Sequence, residues 1–305
     1  VLQVYLPIAE MAISAPLLVV LGVGIGFLSG LFGISGGFML TPLLIFLGVP
    51  PAIAVGTQAS QAVASSFAGM LTHRRARNVD VRLGLFMLTG SAVGTLMGSW
   101  LFGWFKQVGQ VDFIIALLYV GLLGTIGGIM VVESSRSLMR QRQNPSALPA
   151  ARQVPQLLQR LPFKVYFPAS GLTISIFVPF LLGIMTGVTT VILGLGGTLL
   201  VPAMIYLLAM PTTLVAGTSL FQVIFTSGAA AALHAINHHT VDIVLSLMLM
   251  LGSAIGAQFG TRFTGRMRPD LARWILSLIL LLIAFKLLID LTVPPIMPYS
   301  WEVVS

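Results

Sequence analysis

The residues with chemistry to offer are few and mostly uncharged. Thr57, Gln58, Ser60, Gln61, Ser65 and Ser66 fall in one apolar stretch, and Thr218, Ser219, Gln222, Thr226 and Ser227 fall in another. Thr57 and Gln61 are i,i+4 neighbours, as are Thr218 and Gln222, so each pair shares a face if its stretch is helical. Hydroxyl and amide groups can donate to the oxygens of a small anion without a buried cationic side chain; their other common use is hydrogen bonding between packed helices. His73 and His234 occupy equivalent helix ends and could carry protons near neutral pH, or be ordinary interfacial histidines. Asp80 and Asp242 follow those ends and are placed to cap the next helices.

These groups sit in a chain that cannot build a water-facing surface. Of 305 residues, 57% are hydrophobic and 8% charged, with mean hydropathy +1.01, against about 25% charged in a soluble domain. The 32 Gly and 17 Pro suit membrane helices, where both are commoner than in soluble ones. No cysteine is present, which removes disulfides, thiol nucleophiles and thiolate metal sites. HExxH and Walker patterns are missing, and neither enzyme chemistry nor a cofactor nor a metal is expected. His238-His239 could bind a metal weakly, but it lacks nearby carboxylates. Gly22, Gly24 and Gly26 are spaced like part of a dinucleotide fingerprint, but they lie in a membrane-type run.

The net charge of +8 is a topology signal and implies no nucleic acid. All but Lys106 and Lys286 of the basic residues fall in three groups: Arg74, Arg75, Arg77 and Arg82; Arg136, Arg140, Arg142, Arg152, Arg160 and Lys164; and Arg262, Arg266, Arg268 and Arg273. Cytoplasmic loops concentrate Lys and Arg, which puts these groups inside.

A membrane-spanning helix needs roughly 20 apolar residues. Ala52–Thr72, Leu83–Phe105, Phe113–Val132, Thr213–Ala235, Ile243–Phe263 and Leu271–Leu291 meet that length. Leu17–Leu47 and Leu172–Ala209 are too long for one helix, and glycines break each near its middle: Gly33-Ile34-Ser35-Gly36-Gly37 and Gly194-Leu195-Gly196-Gly197. The breaks belong to a duplication. Gly36-Gly37 with Pro42 answers to Gly196-Gly197 with Pro202, and Ala54-Val55-Gly56-Thr57 with Gln61 answers to Val215-Ala216-Gly217-Thr218 with Gln222. His73 answers to His234, Val79-Asp80 to Val241-Asp242, and Gly90–Gly94 to Gly252–Gly256, at offsets of 160 to 162.

Equivalent loops differ in basic charge. The loop after Ala52–Thr72 is basic, whereas Asn237-His238-His239 has no Lys or Arg; the order reverses in the next loop of each half. The sequence therefore predicts an all-α polytopic membrane protein of two inverted-topology repeats, each a glycine-broken re-entrant hairpin plus three transmembrane helices. Its expected divisions are a tail over 1–15, lacking the basic region of a signal peptide, a first repeat over 16–133, a basic cytoplasmic linker over 134–168, a second repeat over 169–292, and a tail over 293–305. Both termini are expected outside, and Lys286 with Asp290 is read as a surface pair.

Irregular backbone at membrane depth survives where protein or a watery cavity satisfies its polar groups. A helix beginning at such a break offers unpaired amides and the positive end of its dipole, which attract anions without a buried Lys or Arg. The candidate substrate-binding set is therefore Gly36, Gly37, Thr57, Gln58, Gln61, Gly196, Gly197, Thr218, Ser219 and Gln222, with His73 and His234 as candidates for proton coupling. The two copies, GLFGISGGFMLTPLL with AVGTQASQ in the first and VILGLGGTLLVPAM with VAGTSLFQ in the second, resemble the TauE/SafE family of sulfite exporters and toluenesulfonate uptake permeases. The likeness covers about residues 16 to 290. It implies a permease of the bacterial inner membrane for sulfite, sulfoacetate or another organosulfonate, with a small anion and membrane lipid as its partners. Gln58 stands where the second copy has Ser219, an asymmetry that would suit an asymmetric ligand. The rival readings are transport of another inorganic anion or a metal ion, and a non-transporting accessory subunit. Oligomeric state is left open, a homo-oligomer included.

Overall fold

The computed structural model describes residues 3–34, 36–76, 78–143, 162–264 and 269–292. Expectations for Ser35, Arg77, the linker at 144–161, Arg266, Arg268 and the tail from 293 fall outside these residues. The protein is an all-α polytopic membrane protein whose two halves each begin with a small β-hairpin. Gln3–Leu6 (β1) pairs antiparallel with Met11–Ser14 (β2), Tyr5 facing Ala12. Lys164–Phe167 (β3) pairs in the same way with Leu172–Ser175 (β4), Tyr166 facing Thr173. The sequence reading has a tail and the end of a linker here. Val4-Tyr5-Leu6-Pro7 and Val165-Tyr166-Phe167-Pro168, at the same offset of 161, extend the duplication into the hairpins.

Among the described residues, five helices follow each hairpin. In the first half these are α1 (Ala15–Phe32), α2 (Gly37–Phe46), α3 (Pro51–Arg75), α4 (Val81–Gln107) and α5 (Val111–Gln143). In the second half they are α6 (Phe177–Leu193), α7 (Gly196–Tyr206), α8 (Thr212–Leu233), α9 (Ile243–Thr264) and α10 (Pro269–Thr292). A π-helical turn, His234–His238, continues α8. Among the described residues six helices are long and apolar enough to cross a bilayer: α1, α4, α5, α8 with its π turn, α9 and α10. α3 has the length, about 37 Å at 1.5 Å per residue, but not the hydropathy, because its polar residues are turned inward. Thr57, Gln58, Gln61, Ser65 and Ser66 are all fully buried there, while Leu96, Trp100 and Leu282 on other helices are 64%, 76% and 69% exposed. Polar inside and apolar outside is the arrangement a lipid solvent demands.

The halves interlock through glycine. α1 runs beside α9, and α4 beside α6, while α3 meets its own counterpart α8 and α5 meets α10. Glycines at four-residue spacing line both swapped pairs, letting backbones touch. A Cβ on Gly26 would lie 2.1 Å from the Ser253 carbonyl oxygen, and one on Gly256 would lie 2.0 Å from that of Val23. In the other pair, a Cβ on Gly90 would lie 2.0 Å from the Phe180 oxygen and one on Gly183 would lie 2.1 Å from that of Met87. Lys286, expected as half of a surface pair with Asp290, sets its ammonium 3.4 Å from the centroid of the Phe46 ring.

Candidate functional site

Each broken stretch ends its first helix in the same way. Gly33 (φ 72°) closes α1, and its amide donates to the Ser29 carbonyl at 2.9 Å. Gly194 (φ 70°) closes α6, its amide donating to Thr190 at 2.8 Å. Left-handed backbone at these caps favours glycine. The chain then folds back on the helix it has left: a Cβ on Gly36 would lie 2.6 Å from Ile25 Cγ2, and one on Gly196 2.0 Å from the Thr190 hydroxyl.

The two histidines serve those same helix ends. His73 hydrogen bonds to the Gly30 carbonyl in the last turn of α1. His234 Nε2 lies 2.8 Å from the Val191 carbonyl in the last turn of α6, and its Nδ1 lies 3.0 Å from the Thr240 hydroxyl. A carbonyl only accepts, so Nε2 of His234 carries a proton, and in the neutral ring Nδ1 accepts from Thr240. Both histidines thus satisfy carbonyls that the end of a helix leaves open.

The breaks of the two halves meet. A Cβ on Gly37 would lie 2.2 Å from the Gly194 carbonyl oxygen and 2.4 Å from Gln58 Nε2, while one on Gly194 would lie 2.1 Å from Gln58 Oε1. The Gln58 side chain is therefore wedged against both breaks. Tyr119 on α5 clasps them from another side, its hydroxyl bonding to the Leu193 carbonyl and, at 3.3 Å, to that of Gly37. Ser219 donates to the Gly33 carbonyl. In the second half Gln222 Nε2 donates to the Thr186 hydroxyl at 3.2 Å.

Several amide groups here have no partner. Both polar atoms of Gln58 and Gln61, and Oε1 of Gln222, are buried without a hydrogen bond. An unsatisfied buried polar group costs about 1–3 kcal/mol, so glutamines left open beside two helix breaks point to a polar ligand.

Thr57 and Thr218 are held elsewhere. The Thr57 hydroxyl accepts from the Asp242 amide at 3.1 Å, and that of Thr218 from the Asp80 amide at 2.9 Å. Beside them a Cβ on Gly56 would lie 2.6 Å from the Thr240 carbonyl oxygen, and one on Gly217 2.0 Å from that of Asn78. The duplicated Gly-Thr pairs thus lock the start of α3 and of α8 onto the loop of the opposite half. Asp80 and Asp242 cap α4 and α9 as anticipated, accepting from the Leu83 and Leu245 amides at 3.0 and 3.1 Å.

Gly36, Gly37, Gln58, Gly196 and Ser219 therefore gather around the breaks, with Gly197 in the first turn of α7 and Gln61 three residues past Gln58. Tyr119 escapes a reading based on duplication because it lies in none of the paired motifs. Away from the breaks, a cavity of about 390 Å³ opens between the end of α4 and the π turn, lined by Ser99, Trp104, Gln107, Asn237 and His238 among others. Ser99 bonds to His238 Nε2 at 3.1 Å, and Lys106 donates to the His238 carbonyl at 2.9 Å.

Comparison with known proteins agrees with this architecture. A family model described as "Sulfite exporter TauE/SafE" matches residues 18–287. The "Probable membrane transporter protein YjnA" of Bacillus subtilis (strain 168) is 31% identical over 277 residues, covering 89% of this chain and 98% of that protein. The "Probable membrane transporter protein YunE" of the same organism is 25% identical over 286 residues, covering 91% and 98%. A "Probable membrane transporter protein" of Xylella fastidiosa (strain 9a5c) is 28% identical over 256 residues, covering 82% and 85%. No solved structure matches. The chain belongs to the TauE/SafE family of membrane transporters.

Proposed function

We propose that this transporter is a secondary permease of the bacterial cytoplasmic membrane, moving a small sulfur-containing anion such as sulfite, sulfoacetate or another organosulfonate by alternating access. The observation that carries the reading is the meeting of the two breaks at Gly37 and Gly194 around the unpartnered amide of Gln58. α2 and α7 start at these breaks, so two sets of first-turn amides and two positive dipole ends face a common region. Gly36, Gly37, Gly196 and Gly197 supply backbone donors, and Gln58, Gln61 and Gln222 orient the anion. Thr57 and Thr218 hold α3 and α8 in register for them. The family description favours a sulfur oxyanion as the cargo.

Alternating access draws on an inverted relation between the halves. The β1–β2 turn and the first turns of α3 both touch the loop at Asp242. The β3–β4 turn and the first turns of α8 both touch the loop at Asp80. α3 runs from the first loop to the second, so the two sites lie at opposite ends of a helix about 37 Å long. By this reading each broken stretch starts and finishes on one face, and the faces differ between halves. The basic end of α3 and the β3–β4 hairpin are cytoplasmic; the β1–β2 hairpin and His238 are outside.

Purified protein in liposomes tests the cargo. A ligand present at about 100 times its dissociation constant stabilises the folded form by about 2.7 kcal/mol. Sulfite or organosulfonates should raise the melting temperature and be carried across the bilayer, and matched carboxylates should do neither. Absence of both effects for every sulfur anion would sink the proposal. Single cysteines at Gln107 and Asn237 should react from outside and at Arg75 and Phe163 from the cytoplasm; reaction of all four from one side would refute the inverted halves.

A further inference from the structure

Two buried carboxylates do more than cap helices. Asp242 is 0% exposed and Asp80 is 1% exposed. In each, Oδ1 accepts from the amide three residues on and closes the first turn of α9 or α4. The second oxygen reaches across to the other half. Asp242 Oδ2 accepts from the Ile8 amide at 2.9 Å and the Ala9 amide at 3.4 Å, in the turn between β1 and β2. Asp80 Oδ2 accepts from the Ser170 hydroxyl at 2.7 Å, in the turn between β3 and β4. A serine or asparagine caps as well as an aspartate, so capping alone explains neither the carboxylate nor its second bond. Each turn belongs to the hairpin that leads directly into a broken helix, α1 or α6. Bonds to a charged acceptor in a buried site are the strong kind.

We propose that Asp242 and Asp80 are the gate latches of the transporter, one at each end of the molecule. Each ties a hairpin, and through it a broken helix, to the α3–α9 or α8–α4 junction between the halves. With both latched, the meeting point of the breaks is sealed from both faces. Releasing one latch frees that hairpin and broken helix to move away and opens its face alone. The proposal rests on the alternating-access reading above.

The chain has no native cysteine, so single reporters can be read cleanly. Ala54 and Val215 are equivalent, buried, and share hydrophobic clusters with the two hairpins, Ala54 with Leu6 and Ile13 and Val215 with Phe167 and Ile174. Ala54→Cys and Val215→Cys are treated with an impermeant maleimide in right-side-out and inside-out vesicles. Asp242→Ser keeps a capping oxygen but has none for the turn. It should speed labelling of the Ala54 reporter about tenfold or more, the scale expected when bonds to a charged acceptor are lost, and leave the Val215 reporter slow. Asp80→Ser should do the reverse. Ser170→Ala, which leaves the cap untouched, should reproduce the effect of Asp80→Ser. Unchanged labelling, or equal acceleration at both reporters, would overturn the latches. Anion flux by the wild type is measured separately: flux with unmoved labelling removes the latches alone. Face-selective labelling without flux for any anion leaves the latches standing and removes the transport reading.

Discussion

Gly37→Ala probes the point where the two halves touch. The added methyl would lie 2.2 Å from the Gly194 carbonyl oxygen and 2.4 Å from Gln58 Nε2. Ordinary contacts of carbon lie near 3.5 Å, so the shortfall is about 1 Å or more. The carbonyl belongs to the backbone and cannot swing aside, so the breaks must part. Overpacking of this kind costs about 1–3 kcal/mol, and at about 2–4 °C per kcal/mol the melting temperature should fall by about 2–12 °C. Because misplacement by about 1 Å can cost about 100-fold in rate, anion flux in liposomes should fall between about tenfold and 100-fold. Gly24→Ala is the matched control on α1: nothing lies within 4 Å of its Cβ, and replacing an open helical glycine gains up to about 1 kcal/mol. If Gly37→Ala melts as high as Gly24→Ala and transports at the wild-type rate, the two breaks are not in contact and the site built on them falls.

Gly26→Ala should destabilise by about 1–3 kcal/mol despite the gain in helix propensity, because its Cβ would lie 2.1 Å from the Ser253 oxygen; a melting temperature equal to that of Gly24→Ala would contradict the backbone contact. Tyr119→Phe strips a donor from the Leu193 and Gly37 carbonyls and should cost about 1–3 kcal/mol with reduced flux, whereas wild-type behaviour in both assays would remove the clasp. Thr57→Val and Thr218→Val keep shape but lose the acceptor for the Asp242 and Asp80 amides, so each should lower stability by about 1–3 kcal/mol and leave KM for the anion unchanged. A raised KM at unchanged melting temperature would return these threonines to the ligand.

Much of the architecture was legible because duplication makes weak signals audible twice. Gly33 and Gly194 each end a helix in left-handed backbone, and the Gly-Gly-x4-Pro runs after them mark α2 and α7. The paired Gly-Thr motifs were legible as important, but not what for. Helical spacing put Thr57 and Gln61 on one face and grouped them as a ligand pair. The fold sends the Thr57 hydroxyl to the Asp242 loop and sets Gln58 against the breaks. One-dimensional spacing says which residues share a face, not which neighbour that face meets. α3 shows the same limit from the other side: its buried polar residues lower its hydropathy below that of a lipid-facing span, though it is 25 residues long. Tyr119 carries no pattern in the sequence, since its role depends on contact with residues 74 and 82 positions away.

The swapped pairing of helices has a consequence for how the protein is made. The glycine-lined face of α1 finds its match on α9, and that of α4 finds its match on α6. As the chain emerges from the ribosome, its first half enters the bilayer with both faces vacant until the second half is synthesised. A half alone would present backbone to lipid, so the unit of folding is the whole chain. Two genes, each encoding one half and divided within residues 144–161, should yield chains that are degraded singly and survive when co-expressed.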